Sequence, residues 1–407
     1  MKKSMKSRKL ARLWAAAVVA LMCVAALGLA ACGGSSQASS AASGSESASA
    51  SEAASSEAAS SEAAESAASE SAASESAAAD ADVVSFTDSS GRTVEVPANI
   101  ERVAVTGPIS QMCMLTFAPD KMVGLSNELS ESETKYVGEQ YAALPVYGQI
   151  YGGKGDFNKE AVAAADPQLI LDIGEAKKSI VEDLDEIQAA TGVPCIHIEA
   201  TLDSYAEAYQ ELGALLGMQD RADELSAYCT ETYDATVAAI ANVPEDQKVK
   251  VAYLLGDAGL NGMAKGSFQG TVVDMMADNV VEVENAGGSG LGSEISFEQI
   301  ALWDPEMIIF GPDSICDTVA DDPSWATLTA IKNGNYYQVP GEPYNWISSP
   351  PGINQILGLQ WFARLCYPDQ FEDSMADVAK DYYKMLYNYE LSDDEVATLL
   401  KNAEPKA

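Results

Sequence analysis

Apolar positions along the chain alternate between short runs suited to strands and longer stretches with apolar residues three or four apart, and one stretch of the second kind stands between two similar halves. Residues 220–243 place Ala222, Leu225, Cys229, Tyr233, Val237 and Ile240 on one helical face, the periodicity of a helix packed along one side. Asp220 is expected to cap it, with Asp223 reaching back from three residues on, and Pro244 to stop it. At about 1.5 Å per residue the stretch is roughly 36 Å long, enough to brace two lobes.

The halves on either side share a grammar. Before the helix, residues 84–97 alternate as a hairpin around Asp88-Ser89-Ser90-Gly91. Residues 102–106 and 122–125 read as strands, separated by a helix carrying Met112, Leu115 and Phe117. A glycine-rich loop at 148–155 leads to helix 159–165 and strand 169–173, then to strand 194–198 and a helix through Tyr205, Tyr209, Leu212 and Leu216 that ends at Gly217. Beyond the long helix come strand 249–255, a loop at 256–270 with five glycines, helices 271–277 and 297–302, strands 307–310 and 336–339, and helices 353–366, 374–389 and 393–402. Strands alternating with helices predict largely parallel sheets. The expected fold class is therefore α/β, with two three-layer α/β lobes joined by one long rigid helix. One echo is more specific: Asn158-Lys159-Glu160 precedes Asp166-Pro167 and an apolar strand, as Ser296-Phe297-Glu298 precedes Asp304-Pro305 and another. Such recurrence indicates lobes built on one plan.

Composition changes the picture most at the N-terminus. Lys2, Lys3, Lys6, Arg8, Lys9 and Arg12 precede an apolar run over 13–31, the pattern of a secretory signal. Leu29-Ala30-Ala31-Cys32 resembles the lipobox of bacterial lipoproteins, which implies cleavage before Cys32 and a lipid on its thiol. A plain signal peptide or a membrane anchor is the alternative reading. Residues 33–80 are almost entirely Ser, Ala and Glu and cannot bury enough apolar surface to order themselves. The expected organisation is a signal over 1–31, a flexible tether over 32–81, an N-terminal lobe over 82–218, the connecting helix over 219–244 and a C-terminal lobe over 245–407.

Charge removes one function class. There are 61 Asp and Glu against 24 Lys and Arg; the six bases ahead of Cys32 leave with the signal, so 18 remain and the net charge moves from −37 to −43. Nucleic-acid binding needs bases that this chain lacks. Cys113, Cys195, Cys229, Cys316 and Cys366 are scattered without CxxC spacing, which favours buried thiols over a metal site and leaves one disulfide open. His197 is the sole histidine and lies within a strand, so neither a multi-histidine metal site nor a hydrolytic triad is indicated. Gly287-Gly288-Ser289-Gly290-Leu291-Gly292 lacks the lysine of a phosphate-binding loop. No cofactor and no catalytic residue is expected.

Several segments, in order, carry a resemblance. Residues 88–97 with Arg102-Val103, the two Glu-to-Asp-Pro segments, Trp325 to Leu328 running into residues 330–340, and Tyr367-Pro368-Asp369-Gln370-Phe371 resemble the class III substrate-binding proteins of ABC importers, the group that delivers ferric siderophores, haem and cobalamin. The resemblance covers about residues 85–371. It implies a ligand cleft between two lobes, a monomer without enzymatic activity on the extracytoplasmic face of a bacterial membrane, and an ABC permease with its ATPase as partners. It also implies a surface glutamate on each lobe that docks with the permease, carried over here to Glu160 and Glu298. The competing reading is that each merely occupies the first turn of a helix, where the dipole favours a carboxylate by about 0.3–1 kcal/mol.

Ligand contacts are expected from loops at strand ends. Tyr151, Phe268, Tyr344 and Trp346 offer flat surfaces for a metal chelate, or else pack loop cores; Lys154 is a candidate ligand contact or a solvated loop lysine. Arg92, Arg102, Arg221 and Arg364 are the arginines after Cys32, and none lies in a candidate cleft loop. That departs from the arginine clusters with which the resembling family meets anionic catecholates and haem propionates, and favours a neutral or weakly charged complex such as a ferric hydroxamate, or a corrinoid.

Overall fold

Strict alternation at the start of the body gives an antiparallel ribbon, Val83–Thr87 with Thr93–Pro97, in the register Phe86↔Val94. The computed structural model describes residues 82–152, 156–284 and 290–405, and all of them belong to the unit Ser76–Ala407. The signal, the tether, Cys32 and Lys154 lie outside the described residues.

The N-terminal lobe is built on a parallel three-stranded sheet, Val103–Val105, Leu169–Gly174 and Cys195–Glu199 in that order. Its strands are buried on both faces, as a sheet covered by helices on both sides requires. Period-two alternation sorts them cleanly. Ala104, Ile170 and Cys195 face Ile180, Leu184 and Ile187 of one helical layer, whereas Val105, Leu171 and Ile196 face the helices Pro108–Phe117 and Tyr205–Leu216. Residues 122–125, expected as a strand, form only isolated bridges, Val103↔Met122 and Leu125↔Val146.

The C-terminal lobe repeats the plan. Met307–Phe310 lies between Tyr336–Gln338 and Lys250–Leu255, all parallel. Asn261–Gly262 and Ser293–Glu294 extend the edge antiparallel, and Asp278–Asn279 pairs with Lys250–Leu255 in parallel. Ala252, Leu254, Ile308 and Phe310 point to an outer cluster with Ile300 and Trp325. Val251, Tyr253, Met307 and Ile309 point inward.

The inner faces of both sheets drain into one continuous core, which also contains Ala222, Leu225 and Cys229 of the long helix. That helix is Gln219–Ile240, 22 residues or about 33 Å. It is not a free strut: it packs against Tyr205–Leu216 on one side and Asn354–Cys366 on the other. Arg221 donates to the carbonyls of Thr116 (3.0 Å) and Met385 (2.8 Å), and so joins the two lobes at its first turn. The expected Asp220 cap is replaced. Gly217, at φ 67°, turns the preceding helix directly into this one; Met218 is the N-cap without a side-chain bond, and the Asp223 carboxylate accepts from Gln210 and Gln219 instead.

The sequence echo is also a conformational one. Asn158 and Ser296 each accept a backbone N–H three residues on, from Ala161 and Gln299. Asp166 and Asp304, both preceding proline, adopt positive φ of 52° and 40°. Proline disfavours the right-handed helical region for the residue before it, and aspartate is among the few side chains that tolerate the left-handed one.

The two terminal helices, Met375–Tyr387 and Asp393–Leu399, return to the N-terminal lobe. Lys135 pairs with Glu395 at 2.9 Å, and Tyr389 donates to the same carboxylate at 2.7 Å. Chiefly through the Tyr389 bond, then through the Ser392 N–H and Lys135, the Glu395 carboxyl is held down at about 2, against an ordinary 4.5. A depressed acid stabilises the fold above its unfolded value and loses that contribution as pH falls through the folded one. The Tm difference between the parent and Glu395→Gln should therefore be constant above about pH 5.5 and vanish between about pH 4.5 and 2. A difference that grew on acidification would contradict this.

Candidate functional site

Parallel sheets leave a crevice at the carboxyl ends of their strands, where loops diverge. In the C-terminal lobe, Lys250–Leu255 ends at Gly256-Asp257, Met307–Phe310 at residues 311–314, and Tyr336–Gln338 runs into residues 339–350. In the N-terminal lobe, Val103–Val105 ends at Gly107, ahead of the helix Pro108–Phe117. Between these ends lies a cavity of about 750 Å³, lined from one side by Pro108, Gln111, Asn127, Glu128 and Glu133, and from the other by residues that include Asp257, Asn261, Asp313, Tyr344 and Asn345. Its size falls within the range of small-molecule sites. A second cavity, of about 760 Å³, involves Phe117, Arg221 and Lys384. It opens where the long helix meets the terminal helices, away from the strand ends.

Buried polar groups fix the walls. Asn345 donates to the Tyr253 hydroxyl at 2.8 Å, and its own side-chain oxygen accepts from Ile347 and Ser348 N–H. Tyr253 also bonds Ser348 at 2.9 Å, and burial pushes its phenol up to about 12. The loop over 341–350 is thus locked to the central strand of its own sheet. Across the cleft, the Gln111 side-chain oxygen accepts from the N–H of Ser126 (2.7 Å) and Asn127 (3.2 Å). Glu133 accepts from the Ser130 N–H at 2.8 Å in a capping box that starts the helix Glu131–Val137. At the rear, Tyr136 donates to Glu342 at 2.9 Å, and its phenol is raised by burial and then by that carboxylate. Tyr136 also meets Tyr383 and Tyr389 edge-on at 4.8 and 5.0 Å. At another edge the Lys177 ammonium stands 5.6 Å from the centre of the Phe268 ring.

Of the residues expected to meet ligand, Tyr344 lines the cavity. It is 9% exposed, and its hydroxyl is itself shielded from solvent, beside Glu133 and Tyr387; burial foremost, then those two groups, raises its phenol well above the ordinary value of 10. Trp346 does not reach the cleft. It is 1% exposed in the core, with its indole N–H donated to the Glu342 carbonyl at 3.0 Å. Tyr151 packs on the N-terminal lobe and donates to Asp183 at 2.7 Å, and Phe268 faces Lys177; neither lines the cavity. Asn127, Glu128 and Glu133 line it without having been expected to; Ser130 to Glu133 marks a helix start in the sequence but not its place at a cleft.

Glu160 and Glu298 are exposed, each in the first turn of its helix. Neither takes part in an ion pair among the described residues. His197 is buried, bonded to Asp172 at 2.7 Å, whose other oxygen accepts from Thr106. Cys113, Cys195 and Cys229 are buried thiols and Cys366 a half-buried one; Cys316 is buried.

The chain belongs to the periplasmic binding protein family, whose profile matches residues 103–343. An ABC transporter solute-binding protein from Sulfurospirillum deleyianum superposes with a TM-score of 0.72 at 28% identity, covering 78% of this chain and 99% of that one. The Fe(3+)-citrate-binding protein YfmC of Bacillus subtilis is 25% identical over 196 residues, 46% of this chain and 58% of that protein's length. MolA, a molybdate periplasmic binding protein of a Haemophilus influenzae ABC transporter, shares the fold at a TM-score of 0.60 and 18% identity, over 76% of this chain and 99% of its own.

Proposed function

We propose that this protein is the substrate-binding component of an ABC importer that captures a metal chelate, an iron complex or a corrinoid, and hands it unchanged to a permease. The carrying observation is a cavity of about 750 Å³ walled by both lobes at their strand ends. Its walls are held by buried hydrogen bonds of Asn345 and Gln111. The iron-chelate reading draws support from the Bacillus subtilis relative, whose name states Fe(3+)-citrate binding. In this reading Cys32 carries the lipid that tethers a monomer to the outer face of the membrane, residues 32–81 give it reach, and Glu160 and Glu298 meet the permease.

Titration of intrinsic fluorescence with a ferric hydroxamate, ferric citrate, a corrinoid and haem tests the proposal. Saturable quenching by one of them at one ligand per chain is expected; a flat response to all would sink it. Tyr344→Phe sharpens the test. The Tyr344 hydroxyl is shielded from the cavity and lies beside Glu133, so the variant should lower Tm slightly and change Kd less than about 3-fold, a larger loss of affinity marking a direct bond to ligand. A fall in Tm with Kd unchanged would assign Tyr344 to packing alone.

A further inference from the structure

Each wall of the cavity is locked to its own lobe, Ser126 and Asn127 by Gln111 and the loop over 341–350 by Asn345 and Tyr253. Neither lock joins one wall to the other. A bond at the rear does. Tyr136, 4% exposed, stands on the helix Glu131–Val137 one turn beyond Glu133, which lines the cavity. Its hydroxyl donates to the Glu342 carboxylate at 2.9 Å. Glu342 stands between Gly341 and Pro343, both of which line the cavity, and is itself outside the lining. The same residue is gripped through its backbone, for its carbonyl accepts from the Trp346 indole N–H at 3.0 Å and from the Tyr383 hydroxyl. Lys135 donates to the Tyr136 hydroxyl at 3.2 Å and pairs with Glu395 at 2.9 Å. Two successive residues of an N-terminal-lobe helix are thus held by the C-terminal half of the chain. Burial, and then the Glu342 carboxylate, push the Tyr136 phenol up, so that it remains a donor.

We propose that Tyr136 and Glu342 form a clasp that sets the spacing of the two walls, so that the cleft is shaped before a ligand enters. Both are positioning residues. Neither lines the cavity, and each acts through lining residues close by in the chain, Glu133 on one side and Gly341 with Pro343 on the other. Separating the walls would leave a carboxylate and a buried phenol without each other, and a bond to an ionised acceptor is among the stronger ones. A cleft that spends part of its time with the walls apart binds more weakly, in proportion to the competent fraction lost. That consequence for affinity rests on the receptor reading above; the clasp itself does not.

Amide hydrogen exchange of the protein without ligand reads the clasp directly, because local opening sets the exchange rate. Tyr136→Phe removes one hydroxyl and keeps the ring that meets Tyr383 and Tyr389 edge-on. It should speed exchange at the bonded amides of Trp346, Ile347 and Ser348, on the opposite wall, by about tenfold. Glu342→Ala should do the same at residues 134–138. Glu342→Gln, which keeps an acceptor oxygen, should retain most of the protection, and joining Tyr136→Phe to Glu342→Ala should add little to either alone. Exchange in the helix Tyr205–Leu216 should not change. Loosening confined to the substituted wall, or spread equally to Tyr205–Leu216, overturns the clasp. For whichever of a ferric hydroxamate, ferric citrate, a corrinoid and haem quenches fluorescence, Tyr136→Phe should weaken Kd about 3- to 10-fold. An unchanged Kd beside reciprocal loosening overturns the positioning role. Quenching by none of the four sinks the receptor reading, while the exchange rates decide the clasp by themselves.

Discussion

Glu160→Gln with Glu298→Gln is expected to abolish ligand uptake by cells while the purified protein keeps its affinity. The two carboxylates are exposed, lie at equivalent points of the two lobes and stand in the first turn of capped helices. An exposed ion pair contributes about 1 kcal/mol at most. A charge desolvated against a basic pocket costs about 2–5 kcal/mol when its partner is left unmatched, so losing both should lower uptake by about a hundredfold or more. The helix-dipole reading makes a different forecast: about 0.3–1 kcal/mol of stability lost per site, with uptake intact. Uptake counts beside Kd from fluorescence separate the two, and a variant that transports normally removes both residues from the docking face.

Gly358→Ala should destabilise the fold despite placing a better helix former inside a helix. Helix propensity alone favours alanine by about 1 kcal/mol. The added Cβ, however, would fall on the carbonyl of Trp346, part of the loop that walls the cleft, with Ile347 3.3 Å away on the same side. A backbone carbonyl held by its neighbours cannot swing aside as a long side chain can, and overpacking of this kind costs about 3 kcal/mol. The clash wins by about 2 kcal/mol, and Tm should drop by roughly 4 °C or more, with ligand affinity reduced because the loop over 341–350 must shift. Gly107→Ala is the control, since nothing lies within 4 Å of its added Cβ and its extended backbone suits any residue; equal melting of the two variants would refute the close-approach argument.

Much of the architecture was legible in order and spacing. The parallel strands, the helix ended by Gly217 and the echo from Asn158 and Ser296 through the two Asp-Pro corners all depend on interactions within a few residues, which local pattern records. Glu128 and Glu133 were not legible as cleft residues, because nothing local distinguishes an acid that faces a cavity from one that faces bulk water. For Trp346, which follows Tyr344 and Asn345 in a strand-end loop, the sequence left a ligand platform and loop-core packing both open, and the folded loop buries it in the core.

By itself, the sequence determined the α/β class, the two-lobe repeat, the helix between the lobes and the scarcity of bases, since each follows from periodicity, turn chemistry or composition. Only the tertiary structure decided that the helix is embedded in one core shared by both sheets, and that Glu128, Glu133, Asp257 and Asp313 line one cavity. Those facts depend on contacts between residues a hundred or more positions apart, such as Tyr136 with Glu342 and Arg221 with Met385, and no local pattern along a chain encodes which distant faces will meet.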